Sequence, residues 1–166
     1  MENLFYTTFN NFDFGFVSQS NSGKKILLIE DDEALVEVLG IIFTNAGYSY
    51  RAYSSIENIL PVVEEFRPDL VLLDYTLPVL NGEILCNQIK RYKQTTTLPV
   101  IIFSAHNDMF LSVGKYGCDA FVGKPFKPQY LISKIEKCMR VMAWASFSLK
   151  PIFTSNENPK NTTARF

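Results

Sequence analysis

With 166 residues, 47% hydrophobic and 20% charged, the chain can bury one packed core with short tails, which excludes global disorder. A formal net charge of −1 leaves no basic footprint for nucleic acid. No apolar run approaches the ~20 residues of a membrane span. The first basic residue, Lys24, follows the early apolar residues instead of preceding them, the wrong order for a secretory signal. A cytoplasmic protein is expected, with neither membrane nor nucleic acid as partner. Cys86, Cys118 and Cys138 are odd in number, lack metal-ligand spacing and fall inside apolar patterns, so they read as buried thiols in a reducing compartment.

Residues 1–23 form a compositional zone of their own. Phe5, Phe9, Phe12, Phe14 and Phe16 alternate with Asn and Thr, and Ser18–Gly23 reads as a flexible linker. A first strand covers Lys25–Ile29. Leu35, Val38, Leu39, Ile42, Phe43 and Ala46 then make an apolar stripe at helical spacing, with Gly47 as the stop. Tyr48–Tyr53 is a short second strand. Ser54 and Glu57 have capping-box spacing and predict a second helix from there to about Phe66, bent or interrupted by Pro61.

The third strand, Asp69–Asp74, is followed by a helix from Gly82 to about Tyr92. Pro99–Phe103 is the fourth strand, 108–116 a short helix, and Asp119–Val122 the fifth strand. The last helix begins near Lys127-Pro128 and carries Leu131, Ile135, Cys138 and Met142 on one face. From Ser146 the pattern gives way to Pro, Asn and Thr, a mobile tail by composition. The expected domain plan is a leader over 1–23, a folded domain over 24–144 and a tail over 145–166. Five βα units predict a doubly wound, five-stranded parallel sheet in the flavodoxin-like order 2-1-3-4-5.

The chemistry gathers where these strands end. The first ends in Glu30-Asp31-Asp32, the third in Asp74, the fourth in Ser104-Ala105, and the fifth runs into Lys124-Pro125. Open α/β folds place their sites at this carboxyl edge. Carboxylates this close cannot all stay ionised without compensation. A hard divalent cation such as Mg²⁺ supplies it through oxygen ligands. Lys124 brings a compact charge and Ser104 a hydroxyl, both suited to phosphoryl oxygens. The set fits phosphoryl transfer onto one carboxylate, which is chiefly positioning and charge neutralisation.

In these motifs the stretch from Lys24 to about Trp144 resembles a receiver domain of two-component response regulators (the CheY-like type). The acidic pair after the first strand, D-x-x-[hydrophobic]-P-x-x-x-G from Asp74 to Gly82, Ser104-Ala105 and Lys124-Pro125 stand in that family's order and near its spacing. The resemblance implies that Asp74 is the phosphoacceptor. It makes Glu30, Asp31, Asp74 and the backbone carbonyl of Thr76 the Mg²⁺ ligands, Lys124 and Ser104 the contacts to the phosphoryl group, and Ser104 and Phe121 the switch pair. Glu30-Asp31, not Asp31-Asp32, is aligned with the family pair because that preserves the distances to Gly47 and Asp74. Asp32 is then left to favour the following helix's N-terminus.

Three departures stand out. Leu77 replaces the commoner methionine, Phe121 lacks the hydroxyl of the commoner tyrosine, and the segment between Ser104 and Lys124 is about two residues short by comparison with the family. The helix over 108–116 should therefore be clipped or displaced. The resemblance implies a single-domain response regulator. It takes phosphate from a histidine kinase or histidine phosphotransfer protein and signals by protein contact or phosphorelay to an unidentified downstream protein, with homodimerisation left open. On this reading it is not an enzyme beyond Mg²⁺-dependent self-phosphorylation and slow autodephosphorylation. Two alternatives remain: a phosphorylation-independent scaffold on the same fold, and a phosphohydrolase of the haloacid dehalogenase type. The second normally needs another acid where Thr76 stands. His106, the only histidine, reads as a loop or cap residue.

Overall fold

A computed structural model describes residues 23–105 and 117–148, with side chains as far as Arg140. Five strands, β1 (Lys25–Ile29), β2 (Ser49–Tyr53), β3 (Leu70–Asp74), β4 (Val100–Ser104) and β5 (Ala120–Gly123), form one sheet in the order β2-β1-β3-β4-β5. Every pairing is parallel, the arrangement expected from the sequence. The leader over 1–22, the helix expected at 108–116 with His106, and residues 149–166 lie outside the described residues.

The four described helices are α1 (Glu33–Asn45), α2 (Leu60–Phe66), α3 (Gly82–Arg91) and α4 (Pro128–Ser148). The last of them continues past the expected end of the pattern at Ser146. Because helices cover both faces, the central strands are apolar up to their carboxyl-end residues, and β3 and β4 are buried at every position. Alternate residues serve the two layers. Ile26, Leu28, Leu72 and Phe103 pack under α1 and α4, whereas Leu27, Ile29, Leu73 and Ile102 pack under α2 and α3. Edge strand β2 instead alternates, burying Tyr50 and Ala52.

Local chemistry sets the helix ends near the site. The Asp32 side chain accepts from the Leu35 N–H at 3.2 Å and caps α1. Asn81 does the same for α3, accepting from Ile84 at 3.0 Å. Gly47, at φ 78°, ends α1 in the left-handed conformation that glycine adopts without penalty. The Tyr48 N–H then returns to the Phe43 carbonyl at 2.9 Å.

The start of α2 departs from the sequence expectation. Ser54 and Glu57 do not open it; the helix begins at Leu60, with Pro61 in its first turn. Proline has no N–H to give and fits where no helical acceptor is owed, so the first turn is its strain-free place. The residues before it are held by a distant side chain. Gln88 of α3 accepts from the Ile59 N–H at 3.1 Å and donates to the Glu57 carbonyl at 3.0 Å. Together with the Asn58 side chain, which accepts from the Leu60 N–H at 3.2 Å, those bonds take the place of the expected capping box.

At the amino edge of the sheet, two aspartates tie strands together. Asp69 accepts from Lys24 Nζ at 2.7 Å and from the Lys25 N–H at 2.8 Å. Asp119 accepts from Lys90 Nζ at 2.6 Å and from the Val100 N–H at 2.7 Å, while Lys90 also donates to the Leu98 carbonyl at 2.8 Å.

Candidate functional site: an acidic pocket at the carboxyl edge

Backbone bonds that run on past the strand ends bring the pocket together. The Glu30 N–H donates to Tyr53 O at 3.0 Å, Tyr75 to Phe103 O at 2.9 Å, and Lys124 to Ser104 O at 2.7 Å. Each continues a ladder by one step, so the residues just after β1, β3 and β5 share one rim. Glu30, Asp31 and Asp74 each offer a carboxylate oxygen, and these oxygens lie within 4.8 Å of one another. Glu30 is 1% exposed and Asp74 6%, while Asp31 is open to solvent.

Lys124 is the cation of this cluster. Its Nζ donates to Glu30 Oε2 at 2.7 Å and lies 3.2 Å from Asp74 Oδ1. The ammonium also sits 4.3 Å from the centroid of the Phe103 ring, a placement worth about 0.5–2 kcal/mol. Phe126 packs edge-on against that ring at 6.3 Å between centroids. Glu30 accepts a further bond from the Asp32 N–H at 3.1 Å through its other oxygen, and Asp74 takes a backbone hydrogen bond from Thr76.

Burial pushes both buried carboxyls above their usual range. For Glu30 the pull of Lys124 and the Asp32 N–H opposes the shift and Asp74 adds to it. For Asp74 the opposition comes from Lys124 and Thr76, with Asp31 adding to the shift. One lysine thus serves two buried acids, with a third acid beside them. An all-oxygen donor set with surplus negative charge fits a hard divalent cation.

The remaining expected site residues fall around this cluster. Ser104 ends β4, fully buried, one position beyond the register partner of Asp74, and lies beside Gly123. Thr76 is exposed at the mouth, two residues after Asp74. Phe121 is buried in the layer beneath α3, paired in register with Ile102. Asp32 stands apart as the α1 cap.

Two contributors carried no signal, or only part of one, in the sequence. Phe103 is one of a run of apolar strand residues, and nothing in the run marks the ring that lies under the ammonium. Gly82 closes the D-x-x-[hydrophobic]-P-x-x-x-G motif, but its role is steric. A Cβ there would overlap the Asp74 carbonyl oxygen and come 3.0 Å from its carbonyl carbon and 3.2 Å from Tyr75 Cα. Only hydrogen fits, so the start of α3 presses directly on the backbone that holds Asp74.

A parallel 2-1-3-4-5 sheet carrying three acids and a lysine on its carboxyl rim has the architecture of a receiver domain. The family model of the response regulator receiver domain matches residues 26–136, and the chain belongs to that family. It is 33% identical over 119 residues to the DNA-binding response regulator MtrA of Mycolicibacterium smegmatis, covering 70% of this chain and 51% of that protein. To the phosphate regulon transcriptional regulatory protein PhoB of Pseudomonas aeruginosa it is 29% identical over 120 residues, covering 71% and 52%. The chain therefore spans about half the length of these curated relatives. A CheY-like receiver domain protein from Methanospirillum hungatei shares the fold at TM-score 0.65 and 24% identity, over 74% of this chain and 98% of that one. No helix among the described residues is long and apolar enough to cross a membrane.

Proposed function

We propose that this receiver is a phosphorylation switch in which Asp74 takes a phosphoryl group from a histidine kinase or histidine phosphotransfer protein in the cytoplasm. The observation that carries this reading is the shared lysine: Lys124 bridges Glu30 and Asp74 inside a cluster of three carboxylates. A carboxylate oxygen of Asp74 attacks the phosphorus, the bond from phosphorus to the donor's imidazole nitrogen breaks, and the electron pair leaves with that nitrogen. Lys124 exchanges its Asp74 contact for a phosphoryl oxygen, and the Ser104 hydroxyl donates to another. Mg²⁺ held by Glu30, Asp31, Asp74 and the Thr76 carbonyl would neutralise charge on the phosphoryl oxygens.

The site needs no turnover of its own beyond slow loss of the phosphoryl group to water, so the protein acts as a switch and not as an enzyme. Phosphohydrolase chemistry finds no second acid here, since Thr76 stands two residues after Asp74. Phe121, lacking a hydroxyl, reports the switch by packing alone, and output passes by protein contact or by relay of the phosphoryl group.

The test is intact-protein mass after incubation with acetyl phosphate and Mg²⁺. One phosphoryl adduct on the wild type, absent from Asp74→Asn and from a metal-free sample, is the expected result. No adduct, together with no change in the protein's spectra on adding beryllofluoride, would overturn the switch and leave a binding scaffold.

A further inference from the structure

A groove runs along the outside of the domain between α1 and the start of α4. Its upper half, about 430 Å³, is lined by Leu35, Val38, Pro125 and Phe126 and reaches Lys124 at the rim of the acidic pocket. Its lower half, about 490 Å³, continues past Ile132 to Asn45, Ala46 and Glu136. The halves join at Ile42 and Pro128, which line both. Beside it, Val38 is 51% exposed and Ile41, one turn on, is 62% exposed. A helix that turns large aliphatic side chains outward has a second apolar face still to be covered.

The lower end of this groove lies where the N-terminal segment joins the domain. The cap of α1 is Ala46; Ser49, three residues further on, donates its N–H to the Lys24 carbonyl at 2.9 Å. The 22 residues ahead of Gly23 contain five phenylalanines, two carboxylates (Glu2 and Asp13) and no basic residue. Phe12, Phe14 and Phe16 alternate, a spacing that in an extended strand puts three rings on one side.

We propose that Phe12, Phe14 and Phe16 seat in this groove of their own chain. Their reach suffices: Val17–Ser22 spans up to about 20 Å when extended, and α1, at 13 residues, is also about 20 Å long. The rings meet an apolar wall of Leu35, Val38, Ile42 and Phe126.

The test uses the full chain with a photoreactive benzoylphenylalanine in place of Phe14, irradiated dilute and mapped by peptide mass spectrometry. The expected product is a crosslink at monomer mass to the Leu35, Val38, Ile42 or Phe126 region, lost in Val38→Glu and in the Phe12→Ser, Phe16→Ser double variant. Val38 is half exposed, so its substitution leaves the core intact, and the double variant leaves the folded domain untouched. Crosslinks only at dimer mass would assign the groove to a second copy and overturn the proposal. So would crosslinks mapping elsewhere, no crosslink at all, or a yield indifferent to both sets of substitutions. None of these readouts involves phosphorylation, so a failed seating and a failed phosphoacceptor are separable.

Discussion

Replacing Asp74 by asparagine should make the metal-free protein more stable, although it removes half of an ion pair. Lys124 Nζ lies 3.2 Å from Asp74 Oδ1, an attraction of about 5 kcal/mol at an effective dielectric constant near 20. Glu30 and Asp31 bring carboxylate oxygens within 4.8 Å, and each repels Asp74 by about 3.5 kcal/mol on the same basis. Attraction and repulsion nearly offset, and the cost of burying the charge, the largest influence on Asp74, tips the balance against the carboxylate. Solvent at Asp31 trims this, so Asp74→Asn should gain about 1–2 kcal/mol, or roughly 2–8 °C in Tm.

The pH dependence has a definite sign. Burial raises the folded-state pKa of Asp74 and of Glu30 above their usual 3.8 and 4.5, so between the unfolded and folded values the native state binds more protons. The extra stability of the protonated forms is fully present below the usual values and is lost as pH rises through the folded ones. Wild type should therefore gain stability as pH falls through the raised folded-state values, and Asp74→Asn should gain less. Urea unfolding followed by circular dichroism in EDTA reads both quantities, and replacing EDTA with Mg²⁺ should favour the wild type. A lower midpoint for Asp74→Asn at neutral pH, or a wild type that weakens over that fall in pH, would show that Lys124 already balances the acids and refute the charge deficit.

Other substitutions probe the supports of the site. Gly82→Ala should lose about 1–3 kcal/mol by overpacking, because the new methyl meets Asp74 backbone and not a flexible side-chain end. Acetyl phosphate labelling of the folded variant should fall with it; unchanged labelling would remove Gly82 from the site's support. Asp119→Asn weakens an acceptor shared by Lys90 and the Val100 N–H and should cost about 2–3 kcal/mol in urea unfolding. Labelling at Asp74 should be unchanged below the transition. Cys86 has its thiol pushed up to about 12, chiefly by burial, so iodoacetamide should modify it slowly in the native protein and rapidly in urea. Equal rates by mass spectrometry would contradict the packing.

The sheet was legible because central parallel strands must be apolar on both faces. Runs such as Leu70–Leu73 and Val100–Phe103 announce that without help from any other part of the chain. The carboxylates were legible because they interrupt those runs where each strand ends. The Asp32 side chain turns to Leu35 and caps α1, while Glu30, Asp31 and Asp74 bring carboxylate oxygens within 4.8 Å of one another. What the sequence hid depends on contacts from far along the chain. The start of α2 was misplaced because Gln88, 31 residues beyond Glu57, holds the loop ahead of Leu60. Phe103 could not be singled out among its neighbours, because only the return of β5 brings Lys124 over its ring.

The two edges of the sheet use the same chemistry to opposite ends. At the amino edge each aspartate has a lysine and a backbone N–H of its own, Asp69 with Lys24 and Lys25, Asp119 with Lys90 and Val100. Such acids are satisfied and fix the packing of the strands. At the carboxyl edge Glu30 and Asp74 divide one lysine, with Asp31 beside them and burial working against both. A fold that can pair its acids one to one, and does so at one edge, leaves the other edge short of positive charge. On the proposed function, a cation and a phosphoryl group would be what this edge takes up, and their arrival would change the balance of forces on β3 and β5 together.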